Sequence, residues 1–432
     1  MRGSAVFRTG IAPGGALAPG WVKNELWRKA RTVPSLDLRF ADNKSLVDAV
    51  TGAQLVTFTR ASSGTFVGSD GLIKTAATNE PRFDHNPTTG ESLGLLVEEA
   101  RTNLVLRSEE FDDVAWTKTN STVTADGAIS PDGTMDADKI VSNSASLGFV
   151  VQSVSQATGT SYTWSVFAKA GEYSFCQLRI TGTVVLSITR AYFNLATGTT
   201  TGTTNCTASI TAFGNGWYKC SITYTTILAA TASPRFYGQV DAADTVGDGT
   251  SGIYIWGAQM EAGAFPTSYI PTTTATVTRA ADVASITGSN FSSWYNQAEG
   301  TVFAEFTAAA YNTASLAISD GTNNNRIMID RGSTGTRYII TNAGVSQSGG
   351  AQTPYTLNSF AKASIGFALD NCNLAVNGLT QTVDTSVSIP STVDRLLLGV
   401  NASASGYGNG PIKRVTFWPI RPADSTLQTI TQ

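Results

Sequence analysis

Charge is scarce in this chain of 432 residues: only 14% are Asp, Glu, Lys or Arg. Histidine is scarcer still, with His85 standing alone. One histidine leaves no spare for a Ser-His-Asp array or a His-rich metal centre. In the turn-like run PRFDHNP it reads as a loop hydrogen-bonder rather than a base. Cysteine occurs four times, as Cys176, Cys206, Cys220 and Cys372, and never at CxxC spacing. Free thiols are expected, with a Cys206–Cys220 bridge as the alternative. The sequence also lacks a P-loop, a Rossmann fingerprint and a continuous apolar leader. No run of about 18 apolar residues is present to span a membrane. Net charge is −3, which argues against nucleic acid as the main partner. No cofactor is implied.

What remains is Gly (41 residues), Thr, Ser, Ala and Val, with hydrophobics at 41%. That is enough apolar material to bury a core, and the mixture suits short strands and tight turns. The length predicts two or three domains. Residues 1–33 carry six basic side chains against Glu25, a balance of +5, and leave −8 for the rest. This basic start, with its Gly/Pro-rich GIAPGGALAPG, reads as an arm. A short helix is expected over 21–31, where Val22, Leu26 and Ala30 share a face. Trp21, Trp27 and Arg28 are its candidate anchoring residues, with the two rings as knobs for a neighbouring protein. A disordered leader is the competing expectation.

Residues 34–111 read as an extended assembly segment. From 112 to 270, about ten short alternating segments separated by Gly, Asn, Asp and Pro predict a β-sandwich. In SYTWSVFAKAG, Tyr162, Trp164, Val166 and Ala168 share one face, and Trp164 is expected in the core. In IYIWGAQM, strict alternation groups Tyr254, Trp256, Ala258 and Met260 on one side. Trp217, Tyr237 and Tyr254 lie where rings could stack on the apolar face of a sugar, and they are the candidate glycan platform. Asp126, Asp132, Asp136 and Asp138 could gather around a structural Ca²⁺, although their spacing is not that of an EF-hand. Residues 271–284 read as a linker, and 285–432 as a second sandwich closed by a small helix capped by Asp424 or Ser425. Adjacent Glu98 and Glu99 point in different directions on any regular element, so they cannot flank one bond as a catalytic pair. Bridging to Arg101 is the expected use of a carboxylate there.

Several stretches are idiosyncratic. FTRAS (58–62), PRFDH (81–85), GLLVEEARTNL (94–104) and WGAQMEAGAFPTSYIPT followed by VTRAAD (256–282) resemble proteins of tailed-bacteriophage particles, the tail-fibre and head-fibre type of appendage. The run from 115 to 270 resembles the carbohydrate-binding-module-like jelly roll of that family. NLAVNG with the PIKRVTFWP strand resembles the finish of a concanavalin A-like (laminin-G-like) sandwich. The resemblance implies an all-β protein with an N-terminal arm and two tandem sandwiches, made in the host cytoplasm and carried on the virion. It implies other phage structural proteins as partners, self-association, most often as a trimer, and host-surface glycan as a ligand. A glucanase relative of the concanavalin A-like fold would need a strand carrying Glu-x-Asp-x-x-Glu; no such triplet is present, so no catalysis is expected. A depolymerase tailspike and a capsid decoration protein without glycan affinity are the two rival expectations.

Overall fold

A computed structural model describes residues 24–144, 146–185, 187–352 and 356–432. Strand outweighs helix by 49% to 6%, so the expected all-β class holds. Four large antiparallel sheets pack as two sandwiches. The jelly-roll sandwich pairs a six-stranded sheet, centred on Ser161–Ala170 and Gly252–Ala262, with a seven-stranded sheet centred on Phe175–Thr181 and Ala230–Gln239. Its core holds Trp116, Trp164, Leu178, Phe193, Ile222 and Phe236. Trp164 is fully buried there, as its apolar face requires.

Strict alternation fails within Gly252–Ala262, for a structural reason. Ile253 and Ile255 face the core together with Ala258 and Met260, while Trp256 faces outward. Gly257 switches the phase. It takes φ +62°, and the register with Ser161–Ala170 slips between Ser165 and Phe167. A bulge of this kind puts one extra residue in the strand and exchanges its faces.

The chain does not divide at 111, nor does 271–284 behave as a linker. Leu36–Leu38 and Ser92–Val97 both pair with Gly410–Trp418 in the C-terminal sandwich. Thr57–Thr59 pairs with Val283–Thr287 in its other sheet. Leu36, Leu38, Phe40, Val56, Phe58, Leu95 and Val97 sit in the same core as Leu316, Ile365 and Phe417. The second sandwich is therefore discontinuous in sequence, with the jelly roll inserted between its two parts. The supposed linker supplies Val277–Arg279, which pairs with Arg101–Asn103.

From Asn24 onward the expected arm folds back onto the chain's own body. Glu25–Ala30 is a helix capped by the Asn24 side chain, and it lies against the chain's own terminal helix, Asp424–Thr431. Trp27 is no external knob: it is only 7% exposed, and its Nε1 donates to Asp37 Oδ2 at 2.9 Å. The Arg39 guanidinium lies 5.1 Å over its ring. Arg28 stays exposed. Trp21 lies outside the described residues. The terminal helix has Ala423 at its N-cap with no side-chain cap, because Asp424 is held instead by Arg421 and Asn373.

Candidate functional site

The idiosyncratic sequence runs meet in one place, the joint between the sandwiches. Arg60 comes from FTRAS, Arg82 from PRFDH, Glu98 from VEEARTNL, and Arg279 and Asp282 from VTRAAD. Arg60 Nη1 donates to Asp282 Oδ1 at 3.1 Å, and Arg82 donates to Asp282 Oδ2. Glu98 Oε2 receives Arg82 Nη1 at 2.8 Å and Arg279 Nη1 at 2.9 Å. Its two oxygens also accept from the backbone N–H and hydroxyl of Ser268. All five charged side chains are at most 5% exposed. Burial alone would raise the Glu98 carboxyl, but Arg279 and Arg82 hold it down at about 2. Buried charges persist where each is paired, and here three guanidinium groups face two carboxylates and a set of backbone carbonyls. Glu99 turns the other way, to Arg101 at 2.5 Å. His85 is buried nearby, with Nδ1 3.0 Å from Val67 O. A carbonyl only accepts, so that nitrogen carries the proton in the neutral ring.

Three carboxyls around the jelly roll shift in the opposite sense to Glu98. Burial pushes Asp84 and Asp138 up to about 6 and Glu109 up to about 7, against the donors that Val67, Phe111 and Tyr269 offer them. A raised carboxyl binds more protons folded than unfolded, so its contribution fades as pH climbs from about 4 through that folded value. Glu98 acts oppositely: its contribution is complete above about pH 4.5 and is lost as pH falls towards 2. The unfolding free energy is expected to be higher at about pH 5 than at about pH 8. Urea titrations at the two values check this, and an equal or inverted order contradicts the assignment.

The expected glycan platform does not assemble. Trp217 is 2% exposed; it faces outward but lies under Ile73, Phe167, Trp256 and Tyr269, with Nε1 donating to Ile129 O at 3.0 Å. The cover includes Ile73–Ala76, one strand of a hairpin in the segment read as extended, and nothing in the local sequence at 217 announces it. Tyr237 is 3% exposed, packed 4.8 Å from Phe149 and receiving Arg235 Nη1 at 3.2 Å. Tyr254 is half-buried on the other sheet, between Lys139 and Lys169. The three rings therefore do not form one surface.

The four acids do not converge either. Asp132 Oδ1 accepts from Ser130 and Thr134 within its own turn, and Asp138 Oδ2 accepts from the Phe111 amide at 2.7 Å. Among the described residues, no three Asp, Glu, His or Cys side chains gather as metal ligands. All four cysteines are free; Cys206 lies against Arg190 O, while Cys220 and Cys176 lie in the jelly-roll core.

A different surface draws polar groups together, the outer face of the seven-stranded jelly-roll sheet. Its strands send Cys176, Leu178, Ala191, Phe193 and Phe236 inward. Period-two alternation therefore sends Gln177, Arg179, Arg190, Tyr192, Arg235, Tyr237 and Gln239 outward. Gln177 stands opposite Tyr192 on one side and Tyr237 on the other. Gln177 and Gln239 are 1% and 0% exposed, yet the Oε1 of each has no partner. The sequence carries half of this signal, since QLR, RAY and RFYGQ each show polar residues two apart. The lateral register that sets these groups side by side is not visible in any one strand.

No family model and no curated protein matches the sequence. Solved structures do show similarity. A sialidase carbohydrate-binding module of Ruminococcus gnavus, bound to α2,6-sialyllactose, is 15% identical over 32% of this chain and 85% of its own, at TM-score 0.27. Domain 4 of the arabinanase AbnA of Geobacillus stearothermophilus, in complex with arabinotriose, is 11% identical over 39% and 82%, at 0.30. The enzymatically active domain of tailspike protein 4 of bacteriophage CBA120 is 14% identical over 37% and 21%, at 0.26. At such scores the matches neither assign a family nor carry a function to this chain.

Proposed function

We propose that this protein is a structural appendage of a phage particle that grips glycan on the host surface and does not cleave it. The observation that carries the glycan reading is the outer jelly-roll face. Two nearly inaccessible amides keep empty acceptor oxygens beside Tyr192 and Tyr237. Buried polar atoms without partners cost free energy, and a ligand that brings donors to them relieves that cost. Sugars bring closely spaced hydroxyl donors and apolar ring faces, which suits amides next to tyrosines. The joint supports the mechanical half of the reading. Its charges are spent on one another, which fixes the two sandwiches as a spacer. The phage assignment draws on the resemblance of the runs that build that joint.

Binding of the purified full chain to a glycan array tests the reading, together with a reducing-end assay on the glycans it binds. Retention without release of reducing ends is expected. Release of new ends makes the protein a depolymerase. Absence of binding, with antibody labelling confined to the phage head, makes it a decoration protein.

A further inference from the structure

The outer jelly-roll face holds more positive charge than its own chain neutralises. Arg179 stands directly opposite Arg190 on one neighbouring strand and directly opposite Arg235 on the other. Like charges in that relation oppose folding. The Nε of all three is buried without an acceptor. Among the described residues, the one carboxylate ion-paired with the row is Asp244, on Arg190 Nη1 at 2.9 Å. Arg235 turns to Tyr237 and to the Phe149 ring, 4.3 Å away.

Asp244 is held by four side chains of the sheet. Its Oδ1 accepts from Gln177 Nε2 at 2.9 Å, Gln239 Nε2 at 2.9 Å and Tyr192 Oη at 2.8 Å. Its Oδ2 takes the Arg190 bond. The residue sits at φ +58° in a connection that includes Gly247 and Gly249, so a short segment brings the carboxylate over the sheet. Asp241 in the same connection is spent on Ala243 and Thr245 and adds nothing to the face. Four donors thus converge on one carboxylate, next to two amide oxygens that receive nothing.

We infer that this face is the receptor for a carboxylate-bearing sugar of the uronic or sialic type, and that Asp244 is the chain's own stand-in for the ligand's carboxylate. The ligand carboxylate replaces Asp244 on Gln177, Tyr192, Arg190 and Gln239. Hydroxyls a few bonds away donate to the two vacant amide oxygens. Arg179 and Arg235 meet negative charge that the chain itself does not supply. The inference deepens the glycan reading and rests on it, since it names the sugar class and the competing internal group.

Calorimetric titration of the full chain with trigalacturonate and with a methyl sialoside tests it, using galactotriose and methyl galactoside as neutral controls. At least one acidic probe is expected to bind, more weakly as salt is added, and the neutral controls are not. Arg179→Gln is expected to lower that affinity at least about tenfold while thermal stability stays level or rises, because a like-charge neighbour is removed. Asp244→Asn is expected to tighten binding about tenfold, because the resident competitor loses its charge. A purely structural arginine row gives no such opposite pair of effects. No heat from either acidic probe, equal affinity for neutral sugars, or an Asp244→Asn variant that binds no tighter overturns the inference. Array binding that survives such a result leaves the glycan reading standing on another surface. Silence in both assays removes the two together.

Discussion

A fragment running from Val283 to Gln432 is expected not to fold, although sequence alone marks 285–432 as a complete sandwich. Its core draws nine buried apolar side chains from before the jelly roll, and seven of them, Leu36, Leu38, Phe40, Val56, Phe58, Leu95 and Val97, are no more than 7% exposed. Burial of such a side chain stabilises by roughly 1.5–3 kcal/mol. Losing seven removes at least about 10 kcal/mol, against a usual total of about 5–15 for a domain. The fragment also strips Gly410–Trp418 of the strands Leu36–Leu38 and Ser92–Val97, which leaves its main-chain groups open to other chains. Circular dichroism and amide dispersion of the fragment check this. Supplying residues 34–97 in trans is expected to restore structure, and a cooperatively folded fragment on its own contradicts the discontinuous sandwich.

Substituting Asp282→Ala is expected to cost about 3–5 kcal/mol, the range for a buried pair left with one partner. Asp282 receives Arg60, Arg82 and the Glu98 amide, and it is fully buried, as are both arginines. Its removal leaves Arg60 with carbonyl acceptors only, and Arg82 with Glu98 and neutral acceptors. Asp70→Ala is the matched control. Its partner Lys74 lies at a similar 2.9 Å, but both side chains are 42–50% exposed, and such pairs are worth less than about 1 kcal/mol. Urea midpoints of the two variants separate the cases. Equal losses mean that the joint does not hold the fold.

The sequence makes the class plain because alternation survives in strands such as Ser161–Ala170, where Trp164 faces the core. It also marks the joint: the idiosyncratic runs at 58–62, 81–85, 94–104 and 277–282 are idiosyncratic because their charged side chains must fit one another. What it hides are relations across strands. Strict alternation misplaces half of Gly252–Ala262, because only backbone conformation at Gly257 reveals the bulge. Trp217 reads as a surface ring because the hairpin that covers it lies far away in sequence. The triplet Arg179, Arg190 and Arg235 comes from three strands, and its meaning appears only once their register is known. Trp27 was open to the opposite error: an amphipathic helix announces an apolar face but not whether the partner is another protein or, as here, the chain's own sheet and terminal helix.

The joint is expected to lock the two sandwiches into one body. The most direct test places spin labels at two highly exposed positions, Val114 on the jelly roll and Leu369 on the C-terminal sandwich, and reads the distribution of distances between them. A single narrow distribution is predicted for the native chain, broadening in Asp282→Ala. A broad distribution in the native chain means that the sandwiches swing freely and contradicts the account.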